Sequence, residues 1–273
     1  MKKKYSLRFI LFFALLGIFF SSCNKEKKTY LLKQVIYDSK HSKHSFNIKY
    51  DNRNRIISWN NTDIIYMKDK IIVGKSYYLY DDFNYTPITF TLKDGRAIHS
   101  STMGMIEFNG GICYANKEVD YVYNEGSITI TANYSLISDS TFIGREIITL
   151  IYNKKDELIK RVRREEVKNK EPKIFYTYLN YEDSIHYKTN YNMLSFVLNV
   201  RGSDIFFYLL LNLDACPRSK TLPSLIRYEE GVNKKSDNVT LHYRMDGDLP
   251  SMAEIINDSN KIESKINLRY DLY

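Results

Sequence analysis

The sequence contains none of the short motifs that identify common enzyme classes. It has no Gly-x-Ser-x-Gly, no His-Glu-x-x-His, no phosphate-binding loop and no dinucleotide fingerprint. Adjacent acidic residues such as Glu165 and Glu166 point to opposite faces of a strand, so they cannot act together as a catalytic dyad. We therefore expect a non-enzymatic protein that needs neither a metal nor a cofactor.

Glycine and proline are scarce, with 11 and 5 residues in a chain of 273, whereas tyrosine and phenylalanine number 24 and 14. Aromatic residues are enriched in β-strands, and a shortage of glycine and proline is unusual in disordered chains. The balance therefore argues against disorder and favours a strand-rich domain.

A strong charge of one sign is also absent. Four of the 40 lysines and arginines, and none of the 32 acidic residues, precede Cys23, so the chain that begins at Cys23 carries a formal charge of +4. So small a charge, scattered along the sequence, does not support binding to nucleic acid.

No apolar run is long enough for a stable membrane-spanning helix. The longest, Phe9–Phe20, has 12 residues; as a helix it spans about 18 Å, against a hydrocarbon core of about 30 Å. It follows a basic segment that contains Lys2 and Arg8 and precedes two serines. This layout is typical of a secretory signal peptide.

The end of this segment, "FFSSCNKEKK", resembles the lipobox of bacterial lipoproteins, in which cleavage occurs just before a cysteine that carries a diacylglyceryl group. The resemblance implies a signal peptide at 1–22, a lipidated Cys23 with a tether at 23–33, and one β domain at 34–273. The alternative is an ordinary signal peptide that is cleaved near Ser22, with a cysteine there by chance.

If Cys23 is lipidated, palmitate-type chains anchor the protein to a membrane, because two or more chains make binding effectively permanent. Asn24, rather than aspartate, follows the cysteine. By analogy with known sorting signals, this favours the outer membrane; the periplasmic and the surface face both stay open.

Only Cys113 and Cys216 remain for a disulfide. An exported protein meets oxidising conditions, and two cysteines allow a single pairing. The alternative is two buried thiols that behave as small apolar residues.

Several segments repeat a hairpin pattern in which an alternating strand reaches a tyrosine, a short polar turn follows, and an apolar residue begins the next strand. The clearest copies align three tyrosines with three aliphatic residues six positions later: Tyr50, Tyr152 and Tyr243 with Ile56, Leu158 and Leu249. Other turns contain Asp-Gly or Asn-Gly-Gly, where glycine supplies the positive φ of tight hairpins.

Residues of alternating polarity give each predicted strand one dry and one wet face, as in antiparallel sheets. The fold class is therefore mainly all-β: an antiparallel up-and-down meander of a dozen or more strands that curls into a barrel or half-barrel. The dry-face residues of two strands are Ile128, Ile130, Ala132 and Tyr134, and Ile262, Ile266, Leu268, Tyr270 and Leu272.

Two segments depart from this alternation. "GSDIFFYLLLNLDACP" has helix start and stop signals, so it predicts one short buried helix near 204–213 that plugs the dry face; a buried strand is the alternative. The charged stretch at 160–173 predicts a solvated strand end and loop.

These features together resemble a family of Bacteroidetes lipoproteins of unknown function with a porin-like or barrel-like domain. The resemblance rests on the lipobox, the hairpin at 50–56, and the block "SKTLPSLIRYEEG" followed by "VTLHYRMDGDLPSM". It implies an envelope protein with a barrel-like β domain and brings no catalytic residues.

Tyr176 and Tyr178 share one face of a predicted strand in an aromatic-rich segment. Aromatic rings stack on sugars, so these residues are candidates for contacts with a glycan; ordinary cross-strand packing is the alternative. The possible partners are thus a membrane, a glycan or another envelope protein. Carriage of an acyl chain inside the curled sheet is a further alternative.

Overall fold

Alternating apolar and polar residues place nearly the whole described chain in β-strands. The computed structural model describes residues 30–40, 42–60, 62–74, 87–108, 111–182, 185–187, 204–211, 213, 221–231 and 235–272. The first strands are β1 (Tyr30–Ser39), β2 (Ser42–Tyr50), β3 (Ile56–Trp59), β4 (Thr62–Tyr66), β5 (Lys70–Val73), β6 (Ile88–Lys93), β7 (Arg96–Phe108), β8 (Gly111–Asn124) and β9 (Ser127–Leu136). The remaining elements are β10 (Phe142–Tyr152), β11 (Leu158–Val167), β12 (Lys173–Asn180), β13 (Ile185–His186), α1 (Asp204–Leu210), β14 (Thr221–Leu222), β15 (Leu225–Glu230), β16 (Lys235–Asp246), β17 (Leu249–Asn257) and β18 (Ile262–Leu272).

Sixteen of these strands form one closed antiparallel barrel, which confirms the predicted fold class. Each barrel strand pairs with the next in sequence, except that β12 pairs with β15 and β18 pairs with β1 to close the ring. The segment between β12 and β15 contains β13, α1 and β14, with β13 and β14 paired only with each other.

Because all neighbours are antiparallel, β1 begins at the same end of the barrel at which β12 ends and the inserted segment lies. We call this the plug end and the other the opposite end. Residues 30–33, which the sequence placed in the tether, belong to β1, and three of them pair with β18.

The dry faces of the strands form the interior of the barrel. On β9, all four residues predicted to share the dry face are buried, and their neighbours are more exposed. A round barrel of sixteen strands encloses an aqueous channel, whereas here apolar side chains from most strands join in one continuous core.

The predicted pattern of β18 is wrong at one position. Glu263 is an extra residue in the pairing with β17, so Ile262 lies opposite Ile256 and is 48% exposed. A bulge shifts every residue on one side of it to the other face. Ile266 and Leu268, beyond the bulge, are buried as predicted.

The charged stretch 160–173 forms a strand end and an exposed turn, as predicted, but not all of its charged side chains are solvated. Its first eight residues belong to β11, where Arg163 lies opposite the buried Ile148 and thus points inward. Arg163 donates to both Glu146 and Glu165, and Glu165 is only 7% exposed. One arginine thus bridges two glutamates on the inner face of the barrel, near its opposite end.

Helix α1 plugs the barrel interior, which confirms the predicted helix over the alternative of a strand. The rings of Tyr208 and Tyr121, on β8, stack with centroids 4.9 Å apart and an interplanar angle of 15°. The Ala97 amide donates to the Leu213 carbonyl at 2.8 Å, and Phe207 is fully buried. No helix in the described residues is long and apolar enough to cross a membrane.

The Asp-Gly turn between β6 and β7 has the conformation that the sequence predicts. Asp94 has a φ of 51° and Gly95 a φ of 77°. Positive φ at both central residues matches the twist of a two-residue hairpin, and glycine adopts it without strain.

Around the plug end, tyrosine hydroxyls donate hydrogen bonds to backbone carbonyls near the starts of the strands. Near the start of five strands one extra residue forms a bulge, and the carbonyl just before it accepts a hydrogen bond from a tyrosine at the end of the adjacent strand. The pairs are Tyr50 with Leu32, Tyr66 with Ile56, Tyr123 with Ala97, Tyr181 with Leu158, and Tyr270 with Pro250, at 2.6–3.0 Å. Tyr243 donates similarly to Pro223 at 2.8 Å.

These tyrosines are donors because their burial disfavours the charged phenolate. Burial raises the pKa of Tyr66 to about 12 and raises that of Tyr243 well above the ordinary value of 10.0. The bulge takes a carbonyl out of the strand ladder, and the protonated hydroxyl replaces the lost partner.

We predict that Tyr50→Phe destabilises the protein by about 1–3 kcal/mol, the usual cost of a buried carbonyl left without its partner. The change keeps the ring and removes only the hydroxyl that bonds to Leu32. Urea unfolding of both proteins measures the difference.

The matched control is Tyr176→Phe on the outer face of β12, where we expect a change below about 0.5 kcal/mol. Equal unfolding free energies for Tyr50→Phe and the unchanged protein would contradict the role of the hydroxyl.

Candidate functional site

A cavity of about 540 Å³ lies at the plug end, where the β10–β11 turn meets the end of β12 and β13. This volume is within the range of small-molecule sites. Leu179, Ile159 and Tyr181 supply apolar surface. The polar lining residues are Asn153, Lys155, Glu157, Asn180, Glu182 and His186.

The β10–β11 turn positions Glu157 in this cavity. The Asn153 side chain accepts hydrogen bonds from the amides of Lys155 and Glu157, at 2.9 and 3.0 Å. Asp156 adopts a φ of 58°, a conformation that aspartate tolerates better than most residues. The side-chain amide of Asn153 also donates to Glu157 Oε2 at 2.8 Å, so the turn holds both the backbone and the carboxylate.

The same turn occurs elsewhere in the described chain with a different residue in the place of Glu157. Asp51 Oδ1 accepts from the amide of Arg55 at 2.9 Å, and Asn257 Oδ1 accepts from the amide of Lys261 at 3.1 Å. Arg55 and Lys261 are exposed, whereas Glu157 is only 8% exposed. The β10–β11 turn therefore differs from the other two because its last residue is acidic and buried.

Within the described residues, the bond from Asn153 is the only hydrogen bond to the Glu157 carboxylate. A buried carboxylate is costly unless hydrogen-bond donors surround it. Tyr181, in the same wall, donates instead to the Leu158 carbonyl at 3.0 Å, and burial raises its pKa far above 10.0. The carboxylate thus has acceptor capacity for a donor from a ligand.

The pair β13–β14 places His186 in the cavity wall. His186 lies opposite Thr221, and its Nδ1 is 3.1 Å from the Thr221 hydroxyl oxygen. Thr221 is 1% exposed, so this contact fixes the imidazole from the protein side.

Carboxylate, amide and imidazole groups together suit a ligand with several hydroxyls, because each hydroxyl both donates and accepts. The described residues contain no group of three histidine, cysteine or acidic side chains that could hold a metal ion. The described polar lining residues offer a ligand hydrogen-bond donors and acceptors.

The two tyrosines that the sequence proposed as ligand contacts lie on the outer face of β12. Their ring centroids are 6.2 Å apart with an interplanar angle of 24°. Lys160 Nζ is 5.0 Å from each centroid, and Arg227 Cζ is 4.6 Å from that of Tyr178. Asn180, two residues after Tyr178, lines the cavity, so the tyrosines adjoin it. Their role as ligand contacts stays a prediction.

Sequence reasoning did not identify Glu157 as a site residue. The likeness of "DNRNR" at 51–55 to "NKKDE" at 153–157 reveals a shared turn. Burial of its last residue depends on residues distant in sequence, such as Leu179 and His186, and local sequence does not show it.

The cysteine predictions fall partly outside the described residues. Cys113 is half-buried on β8, and its expected partner Cys216 lies outside them, as does Cys23. The disulfide and the lipid attachment stay predictions.

A second charged cluster lies on the outer face of β7 and β8. His99 Nδ1 is 2.9 Å from Asp120 Oδ1, and its Nε2 is 2.8 Å from Glu118 Oε2. Partial burial of His99 favours the neutral ring, but hydrogen bonds to Asp120 and Glu118 outweigh it and raise the pKa of His99 above 6.5.

Solved structures of Bacteroides proteins have this porin-like barrel architecture. A porin-like protein from Bacteroides vulgatus matches with a TM-score of 0.80 and 26% identity, over 88% of this chain and 98% of its own. One from Bacteroides uniformis matches over the same shares, with a TM-score of 0.53 and 10% identity, which shows the fold alone.

The fold thus places the chain in the class of porin-like barrels. A family model of such proteins matches residues 34–268, and the chain belongs to this family. No curated protein matches the sequence.

We predict that the His99 resonances titrate with a pKa above 6.5 in the folded protein. Because folding raises this pKa, the contribution of His99 to stability is fully present below about 6.5 and is lost as the pH rises through the folded-state pKa. An NMR titration measures the pKa of His99, and the variant His99→Gln assigns its signals.

In the double variant Glu118→Gln/Asp120→Asn, the pKa of His99 should fall because both hydrogen-bond acceptors lose their charge. A value of 6.5 or lower in the unchanged protein would contradict this account.

Proposed function

We propose that this protein is a lipid-anchored lipoprotein of the cell envelope that binds a saccharide, without catalysis, in the cavity around Glu157. The observation that carries the proposal is a buried carboxylate with spare acceptor capacity, surrounded by amide and imidazole groups. Saccharides present many hydroxyls in a small volume and match such a lining.

The outer face of the barrel supports a water-exposed position. Charged pairs occur on this face, such as Arg145 with Glu166 and Lys265 with Glu254. In hydrocarbon, an arginine or lysine near the midplane costs about 2–4 kcal/mol. We therefore favour a tethered barrel in water over one that spans the outer membrane, although the solved relatives are named porin-like.

The proposed anchor places the cavity near the membrane. Cys23 precedes the first strand residue, Tyr30, by seven positions, and β1 begins at the plug end. Seven extended residues reach at most about 25 Å. The cavity end would thus face the bilayer, where envelope glycans are attached.

Two alternatives have weaker support. A scaffold role requires only an exposed surface, and no described feature of that surface indicates a protein partner. Carriage of an acyl chain needs interior space, whereas α1 with Phe207 and Tyr208 occupies the interior beside Tyr121.

We predict that Cys23→Ser prevents lipid attachment, because position 23 then has no thiol for the thioether. Metabolic labelling with a palmitate analogue and membrane fractionation in a bacterial host measure the effect. The variant should lose the label and leave the membrane fraction.

Cys113→Ser is the control and should keep both label and location. Equal labelling of Cys23→Ser and the unchanged protein would overturn the proposed anchor.

We predict that Glu157→Gln weakens saccharide binding about tenfold, because a charged acceptor contributes more than a neutral one. The measurement is a glycan array followed by calorimetry on the array-positive saccharides. The amide is nearly isosteric, so unfolding curves should confirm that the variant folds.

Glu171→Gln serves as the control, since Glu171 is exposed in the turn at the opposite end. Failure of every saccharide to bind, or binding that Glu157→Gln leaves unchanged, would refute the proposal.

A further inference from the structure

A positively charged aromatic row crosses three strands next to the cavity. Lys160 on β11 lies opposite Tyr178 on β12, which lies opposite Arg227 on β15. Tyr178 is on the outer face because its neighbours Thr177 and Leu179 are buried, and Lys160 and Arg227 share that face because they lie directly opposite it. One aromatic ring is thus flanked by two cations.

Charge along this row is only partly compensated within the protein. Arg227 Nε is 3.1 Å from Glu229 Oε1 on the same strand. Lys160 forms no salt bridge with any described residue; its ammonium lies 5.0 Å from the centroids of Tyr176 and Tyr178. Two cations beside one ring repel each other, and an anion between them would relieve that repulsion.

The row continues the polar wall of the cavity. Alternate residues of β12 share its outer face, in the order Tyr176, Tyr178 and Asn180. Two residues of a strand span about 6.6 Å. A chain that leaves the cavity past Asn180 therefore meets Tyr178 first and Tyr176 next.

We infer that the outer face of β12 is an extension subsite for an acidic glycan. Its anionic group lies at the outer edge of the Tyr178 ring, within reach of Lys160 on one side and Arg227 on the other, while the end of the glycan occupies the cavity. This inference rests on the proposed saccharide binding and specifies its ligand class. The exposed edges and hydroxyls of the tyrosines supply contact surface to the sugars, and the two cations select a carboxylate, sulfate or phosphate.

A glycan fits this surface better than an acidic peptide. Peptides commonly bind a sheet by adding a strand to an unpaired edge. β12 is paired along its length with β11 on one side and β15 on the other, so it offers no edge. Recognition must therefore use side chains, as the tyrosines and cations here permit.

The test compares matched saccharides: oligouronates with their methyl esters, and sulfated chains with their desulfated forms. We expect the acidic member of at least one pair to bind the full mature chain at least fivefold tighter at about 0.05 M salt. At about 1 M salt the preference should disappear, because the Debye length falls to about 3 Å.

Lys160→Gln should remove the preference for the acidic member and keep the binding of the neutral one. Lys49→Gln is the matched control: Lys49 is exposed on β2, across the barrel from β11, and its replacement should keep the preference.

Three results would overturn the inference: equal binding of acidic and neutral members, a preference that survives Lys160→Gln, or an acidic peptide that displaces the glycan from Tyr178. In the first two cases the proposed function stands, since neutral saccharides still bind. Absence of all saccharide binding refutes the proposed function itself.

Discussion

The barrel depends on how its bulged strands satisfy their backbone groups. A buried carbonyl without a partner costs about 1–3 kcal/mol, and five strands contain a bulge near the plug end. Each bulge leaves a carbonyl that accepts a hydrogen bond from the hydroxyl of an inward-facing tyrosine, as Leu32 does from Tyr50. Tyrosine is long enough to reach the adjacent strand, and burial keeps it protonated. The many tyrosines of this chain are therefore, in large part, structural.

The two ends of the barrel interior differ in chemistry. At the plug end, α1 and aromatic rings fill the space, with Tyr208 stacked on Tyr121. Towards the opposite end, Arg163 pairs with Glu146 and Glu165 in the interior. Buried charges are tolerated when paired, and both glutamates of this cluster have the same cationic partner. The Glu157 carboxylate differs because it faces a cavity and receives one hydrogen bond from the described residues, which makes it the better candidate for ligand contact.

Much of the fold could be predicted because side chains alternate across a strand with a period of two. The dry face of β9, the short helix and the Asp94-Gly95 hairpin all follow from local pattern. Ile262 could not be predicted, because the bulge at Glu263 arises from the register with β17. The position of Arg163 was predicted wrongly for a related reason. A charged residue is expected to face solvent unless its partner is known, and here the partner is Glu146 on another strand.

The sequence by itself determined a strand-rich chain of hairpins and predicted a lipoprotein signal at its start, since signal layout, alternation and turn chemistry act over a few residues. Only the tertiary structure decided that the sheet closes, because closure pairs β1 with β18 across nearly the whole chain. It also decided where the candidate site lies. Glu157 becomes a buried acceptor only beside residues distant in sequence, such as Leu179 and His186. Lys160 meets Tyr178 and Arg227 only through the register of three strands.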